Sequence, residues 1–379
     1  MERKKIKYVG FYDITESQTD RVCNLAATNK MNYIANTLVE AGYEVKFISP
    51  SWMGDKSEVP FELSKTLKID EHKYVTYCPS WKSRSRIMRN IKIIIALVWL
   101  FIYLLFMTKK NEKVIAYHVQ WISLPVRMAK SIRKFCLVLE VEEIYQDVMI
   151  LNSSFVKWEN KLFKQANAFL FSTDLLKNKL AFNKPNVVIY GEYKNYPKLT
   201  SPIIDDKIHL LYAGIIDEHK KGAFNALEVS KYLSEKYVLH IIGFGQIEKL
   251  ENLIDEYNQT NKCKVQFDGL KSGDKYIQYC QSCHIGLSTQ SMSGEYLESS
   301  FPSKILSYLA LGLRVVSCEI KCVTESQISD LITFYKIDDP KAIAESIKTI
   351  DINKKFDSDK TIEKLHKEFS HSLVKLLED

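Results

Sequence analysis

The sequence predicts an α/β protein built from two parallel-sheet domains. Three observations carry that expectation. A strand–helix–strand pattern opens the chain. A second alternation of apolar strands and helices begins near Asp206. Between them runs a polar stretch, Gly191 to Asp206, that carries Pro197 and Pro202. At 379 residues the chain is longer than one hydrophobic core usually serves.

In the first half, Ile6–Tyr12 reads as a strand and Asp13 to Asn29 as a polar loop. Met31, Ile34, Ala35 and Leu38 mark the inward face of a helix, stopped by Gly42, and Tyr43–Ile48 is the next strand. Short apolar runs predict further strands at Val114–His118, Leu137–Val141 and Val187–Ile189. The first turn lacks the glycine-rich dinucleotide fingerprint, since Gly10 stands alone. In the second half the strands are Ile208–Ala213, Val238–Ile242, Val265–Phe267, His284–Ser288, Leu313–Ser317 and Ile332–Phe334. Ile362, Leu365, Phe369, Leu373 and Leu376 recur at helical spacing and predict a closing helix. The expected organisation is a first domain over 1–195, a second over 206–355 and a C-terminal helix over 356–379.

Residues 81–110 depart from this pattern. Lys82, Arg84, Arg86, Arg89 and Lys92 come without an acid among them, and Ile93–Met107 is then uncharged and almost wholly apolar. Fifteen helical residues cover only ~22 Å, short of a ~30 Å hydrocarbon core. Two readings follow: a buried helix of the first domain, or a helix dipping into a membrane face beneath a basic collar. The acid-free basic stretch favours the second, with an anionic membrane surface as partner.

Composition narrows the class. A net charge of +7 over so long a chain fits an anionic ligand, and no aromatic-plus-basic motif of RNA-reading type occurs, so nucleic acid is not expected as a partner. The N-terminus passes from charge straight into a strand, and eight scattered cysteines read as reduced thiols; a cytoplasmic location is expected. Cys280-Gln-Ser-Cys283-His284 spells a haem-attachment pattern, but His284 leads into a buried strand and the pattern is read as structural.

The residues most suited to chemistry lie in the second half. In Phe301–Ser317, Pro302 and Ser303 open a helix, Gly312 ends it and Leu313–Val316 is a buried strand. Ser303 and Lys304 fall where backbone N–H groups are unpaired and the helix dipole is positive, which suits a phosphate; a solvated helix-start lysine is the plainer reading. Two more loops end strands in the same way. Ala213-Gly214 leads to Lys220-Lys221-Gly222, and Gly243-Phe244-Gly245 ends the next strand. Glycine allows close backbone approach, and lysine supplies a point charge to phosphate.

Tyr212-Ala213-Gly214, Lys221-Gly222, Ile242 to Gly245, Phe267-Asp268-Gly269 and the Phe301–Ser317 block together resemble the C-terminal half of a family 4 retaining glycosyltransferase. The likeness runs from Asp206 to about Asp351. Asn29 to Ile34 and Leu139 to Tyr145 resemble, more loosely, bacterial polysaccharide-assembly members of that family. The resemblance implies the GT-B fold, two Rossmann-like domains facing across a cleft with the C-terminal helix closing back. It implies a hexosyltransferase in polysaccharide biosynthesis, acting on a nucleotide-sugar (UDP- or GDP-linked) donor and a lipid-linked saccharide acceptor, and residues 81–110 add the expectation of peripheral association with the cytoplasmic membrane. By position, Lys221 faces the donor diphosphate, Gly214, Gly243, Phe244 and Gly245 line the nucleotide, Pro302, Ser303 and Lys304 hold phosphate or sugar oxygens, and His118 touches the donor sugar. A satisfied strand-end histidine is the alternative for His118.

One departure is plain. The family carries two glutamates with seven residues between them where this chain has Ser299 and Ser307. Serine can still bond a ribose hydroxyl with less charge and reach, and Glu295 or Glu298 can stand in for the first glutamate. Glu140, Glu142 and Glu143 could orient an acceptor, or serve as solvated acids at a helix start. No metal or other cofactor is expected, since Asp357-Ser358-Asp359 reads as a loop and helix cap. Two rival functions use the same fold: a nucleotide-sugar hydrolase or epimerase, and a pseudo-transferase that binds a nucleotide, partner or membrane without turnover.

Overall fold

Apolar runs of strand length alternate with amphipathic helices along most of the chain, and they fold as parallel sheets layered with helices. A computed structural model describes residues 3–14, 19–148, 152–194, 196–218, 221–290 and 300–378. Contacts divide the chain into unit 1, Met1–Ile189 with Glu368–Asp379, and unit 2, Tyr190–Lys367.

Unit 1 runs β1 (Lys4–Val9), α1 (Leu25–Glu40), β2 (Tyr43–Ser49), β3 (Phe61–Glu62), β4 (Lys65–Lys68), β5 (Lys73–Tyr77), β6 (Ser80–Trp81) and α2 (Arg86–Met107). It continues with β7 (Lys113–Tyr117), α3 (Ser123–Arg133), β8 (Cys136–Val141), α4 (Tyr145–Val148), α5 (Ser153–Gln165), β9 (Ala168–Phe171), α6 (Asp174–Leu180) and β10 (Asn186–Val188). Eight strands form one sheet in the order β10-β9-β8-β7-β1-β2-β5-β4, parallel except where β4 turns back on β5. The alternation Ile6, Tyr8 in β1 and Val45, Phe47 in β2 places both strands in the core. Asn24 caps α1 by accepting the N–H of Ala26 at 2.9 Å, so the helix starts six residues before its first apolar marker, Met31. β1 stops at Val9 rather than Tyr12. The added Cβ of any side chain at Gly10 would lie 2.6 Å from Cε of Met31, so α1 crosses close to the strand's end.

The helix α2 corrects the expected length. It begins at Arg86, runs 22 residues and covers ~33 Å, so length does not exclude a membrane span. Its packing argues against one. Lys92, Ala96, Leu100 and Leu104 are buried along one stripe, while only 22% of its most apolar window is buried. The helix is neither a covered core helix nor free on all sides. Lys92, counted above with the basic collar, is instead buried and donates to the carbonyls of Met53 (2.8 Å) and Trp81 (3.1 Å).

Unit 2 runs β11 (Ile208–Ile216), α7 (Gly222–Ser230), β12 (Tyr237–Gly245), α8 (Ile247–Thr260), β13 (Lys264–Phe267), α9 (Gly273–Gln281) and β14 (Ile285–Ser288). Then come α10 (Ser303–Ala310), β15 (Arg314–Cys318), α11 (Lys321–Thr324), β16 (Ile332–Tyr335), α12 (Pro340–Lys348) and α13 (Asp359–Glu378), whose last residues count with unit 1. Its six strands are all parallel, in the order β13-β12-β11-β14-β15-β16. The order reverses direction between β11 and β14, which is where an open parallel sheet leaves a crevice at its carboxyl edge.

Candidate functional site

The carboxyl edge of unit 2 is built around glycines. In the β11–β12 register Gly214 lies opposite Gly243, and Ile216 opposite Gly245. A Cβ on Gly243, whose φ is +149°, would stand 1.8 Å from the carbonyl oxygen of Gly214. The two strand ends touch backbone to backbone, which no other residue permits. Gly214 serves a different neighbour. Its Cβ would fall 2.6 Å from Cε and 2.7 Å from Nζ of Lys304. The missing side chain is the space in which the Lys304 stem lies, and its ammonium sits 3.8 Å from the ring centroid of Tyr212.

The neighbours fix this lysine. The Tyr212 hydroxyl donates to the carbonyl of Ile215 at 3.1 Å, and the bare α-carbon of Gly222 makes room for it. The N–H of Ala213 donates to the Tyr308 hydroxyl at 2.8 Å, tying the end of β11 to the helix that carries Lys304. Burial pushes both phenols up, so they stay neutral. Pro302 is the N-cap of α10 and offers no side-chain cap, and the first turn of that helix carries Ser303 and Lys304. Gly312, at φ +82°, ends the helix as expected.

Lys221 is the N-cap of α7 with a left-handed φ of +56°, and it is exposed. Thr289 and Asn225 secure that turn: the Thr289 hydroxyl donates to the carbonyl of Gly222 (2.7 Å) and the Asn225 amide to that of Thr289 (3.2 Å). Phe244 is 54% exposed between the two glycines, an aromatic face presented at the strand end. Ser303 is exposed. Ser307 is engaged within its own helix, its hydroxyl donating to the carbonyl of Ser303 at 3.2 Å. Glu295, Glu298 and Ser299 lie outside the described residues, as does Lys220. Unit 2 thus brings Gly214, Gly243, Phe244, Gly245, Ser303 and Lys304 to one edge, with Lys221 on the turn that follows β11. Tyr212 and Tyr308 belong to the same cluster but carry no sequence signal as ligand-side residues, because their role is to hold Lys304.

Unit 1 places its candidates differently. His118 is 1% exposed, a burial that favours the strand-end histidine over a sugar contact. Its Nε2 lies 3.2 Å from a Glu159 carboxylate oxygen, and its ring packs against Phe163 and Tyr145. Glu159 also accepts the N–H of Tyr145 at 3.0 Å. A ligand has no access to that ring, so the histidine holds the loop after β7. His118→Ala is expected to destabilise unit 1 by about 1–3 kcal/mol, the common range for a buried side chain, while nucleotide affinity stays unchanged. Thermal melting alongside calorimetry with UDP or GDP checks it. A loss of donor turnover at full stability and unchanged UDP or GDP affinity would restore the sugar contact.

Glu140 is enclosed in the same way. It is fully buried, and the Tyr8 hydroxyl donates to it. Burial, with the charge of Glu142 adding, pushes its pKa up to about 8. Glu142 is partly exposed and paired with Lys30 at 2.5 Å, whose ammonium also donates to the carbonyl of Ile189. Glu143 is half-buried, and burial raises its carboxyl too. Of the three acids, Glu142 and Glu143 therefore reach the surface. The raised Glu140 value has a stability consequence. The folded chain holds a proton there that the unfolded chain, at the ordinary 4.5, gives up, so stability falls as pH rises from about 4.5 to about 8. Glu140→Gln is expected to remove that part of the slope, improving on the parent by at least about 1 kcal/mol more at pH 8 than at pH 5. Parallel slopes in urea melts of the two proteins would refute this.

The remaining motifs are structural. Cys280 and Cys283 are buried, and His284 accepts the N–H of His209 through Nδ1 at 3.1 Å. Ser358 is buried and donates to the carbonyl of Leu309 at 2.6 Å, and Asp359 opens α13, so Asp357-Ser358-Asp359 is a loop leading into that helix. Among the described residues no three His, Cys, Asp or Glu side chains are grouped to hold a metal ion.

The fold defined by these two units is GT-B, and comparison with solved structures shows it. An E. coli structure described as trehalose-6-phosphate bound with UDP-2-fluoro glucose superposes with a TM-score of 0.66 at 11% identity, covering 99% of each chain. A trehalose-6-phosphate synthase studied with bisubstrate glycomimetics for glycosyl transfer with retention gives 0.62 at 10% identity, covering 98% of each chain. A glycosyltransferase from Rickettsia africae gives 0.59 at 14% identity, covering 100% of this chain and 95% of that one. No protein-family model matches this chain. No curated protein matches it in sequence.

Proposed function

We propose that this chain is a retaining glycosyltransferase of the polysaccharide-assembly type, moving a hexose from a UDP- or GDP-linked donor to a lipid-linked saccharide at the cytoplasmic face of a membrane. The observation that carries the donor half is Lys304, seated on the ring of Tyr212 in the space left by Gly214, at the switch point of the unit 2 sheet. In this reading Lys304, the first-turn N–H groups of α10 and Lys221 hold the diphosphate. The glycine ends at 214, 243 and 245 admit the nucleotide, and Phe244 offers its ring to the base. The solved relatives that share the fold support the donor class, since one of them is bound with UDP-2-fluoro glucose.

The chemistry follows from that placement. The bond from the anomeric carbon to the diphosphate oxygen breaks, and the acceptor hydroxyl oxygen bonds that carbon on the same face. The hydroxyl proton passes to the departing diphosphate. The protein positions both partners and stabilises negative charge as it grows on the leaving group. Glu142 and Glu143 are the acids placed to orient an acceptor. The lysines supply the charge complement, and the reading assigns no step to a metal.

The test is a panel of UDP- and GDP-sugars, read by release of UDP or GDP with and without a lipid-linked saccharide extract. Release that requires the extract supports the proposal. Release without acceptor identifies a hydrolase. Binding without release identifies a pseudo-transferase, a reading that the engaged Ser307 hydroxyl favours. Transfer to a sugar phosphate instead would replace the acceptor half and leave the donor half standing.

A further inference from the structure

Among the described residues nothing covers the outer face of α2, which is apolar and bracketed by cations. Ile87, Ile91, Ile94, Val98, Ile102 and Phe106 recur every three or four residues opposite the buried stripe and share one face. Ile94 is 61% exposed, Val98 50% and Phe106 73%, so this is a continuous strip and not scattered surface residues. It runs ~28 Å along the helix. The neighbouring helix α3 exposes Met128 and Ile132.

No acid occurs anywhere in Arg86–Met107. Lys82, Arg84, Arg86 and Arg89 are exposed at one end of the strip, and Lys109 and Lys110 at the other. Among the described residues only Arg84 of these six has its side chain in an ion pair, with Asp55 at 4.0 Å, and the backbone N–H of Lys109 donates to the Glu112 carboxylate at 2.7 Å.

This charge layout selects the occupant. A second copy of the chain would have to pair strip against strip, and because both ends are cationic, parallel and antiparallel arrangements alike set cations against cations. An anionic bilayer meets both demands at once. Its headgroups complement the two basic ends, and the strip between them can enter the headgroup boundary. The inner stripe of the helix is committed to the core of unit 1, so the helix lies in the plane of the surface and does not cross it.

We infer that α2 is an in-plane docking helix for an anionic lipid surface, with Ile87 to Phe106 as the inserted strip and the cations at both ends as its headgroup contacts. Vesicle binding needs neither donor nor turnover, so this inference and the transferase reading can fail separately.

The experiment is sedimentation of the full chain with vesicles of phosphatidylcholine alone and with one part in three phosphatidylglycerol. Binding is expected only to the anionic vesicles, and it should weaken between about 0.1 M and about 0.5 M salt as the Debye length shortens. Arg86→Glu with Arg89→Glu should lower affinity at least 25-fold, from about fivefold per lost cation. Ile94→Glu with Val98→Glu, both outward-facing, should abolish binding with an unchanged melting temperature. Lack of sedimentation with anionic vesicles, equal binding to neutral ones, or indifference to both pairs of substitutions overturns the inference. So does a dimer in solution that the Ile94 and Val98 substitutions dissolve.

Discussion

Glu62→Ala is expected to destabilise unit 1 by about 3–5 kcal/mol, the range for removing one member of a buried ion pair. Arg21 and Glu62 meet at 2.7 Å with side chains 0% and 9% exposed. The guanidinium also donates to the carbonyls of Ser51 and Cys78 and lies 4.3 Å over the ring of Tyr77. An arginine cannot shed its charge, so losing the carboxylate leaves an uncompensated cation in the core. The backbone N–H of Arg21 donates to Asp13 at 3.1 Å. Urea unfolding measures the loss. Glu62→Gln should recover part of it, and Arg21→Met with Glu62→Leu most of it. A loss below about 1 kcal/mol would mean that the pair is solvated in solution.

Lys304→Ala is expected to weaken UDP or GDP binding by about 1.5–3 kcal/mol, roughly 10- to 150-fold, as for a charge-assisted hydrogen bond to phosphate. The ammonium is held on the Tyr212 ring by a stem that occupies the Gly214 gap, so little reorganisation is needed when a diphosphate arrives. Gly214→Ala approaches the same contact from the other side, because its Cβ claims the space of the lysine stem. Titration calorimetry on both variants reads the effect. Unchanged affinity in Lys304→Ala and in Lys221→Ala would remove the phosphate assignment.

The regular elements of unit 2 were legible because each is announced locally. A short run of apolar residues marks most strands, and glycines at 214, 243, 245 and 312, all with positive φ, mark the carboxyl ends of two strands and the end of one helix. The glycine–lysine edge was legible for the same reason. Elements that depend on partners were not. The strand Ala168–Phe171 is only four residues and sits between two helices, and the two-residue strands β3 and β6 exist only by pairing with each other. The start of α2 was hidden because Arg86 and Arg89 break its apolar pattern while keeping good helix propensity. Burial was the least legible property. Nothing local distinguishes Glu140 from Glu142, yet one faces Tyr8 in the core and the other faces Lys30 near the surface. His118 was placed at the right strand end, but the partner that encloses it, Glu159, lies 41 residues further along the chain.

The bond from Ala213 to the Tyr308 hydroxyl has a consequence for how this chain can change over generations. Tyr308 reaches Ala213 across β14, and it does so because position 286 is glycine: a Cβ there would come within 2.4 Å of the Tyr308 ring. The two positions are 22 residues apart in sequence but occupy one volume. A lineage can enlarge residue 286 only after residue 308 has shrunk, and shrinking residue 308 first gives up the hydroxyl that aligns the end of β11. Each path passes through an intermediate that loosens Lys304. Related chains should therefore keep glycine and tyrosine together at these positions or replace both together, and the pair would serve as a lineage marker for the lysine-bearing form of this edge.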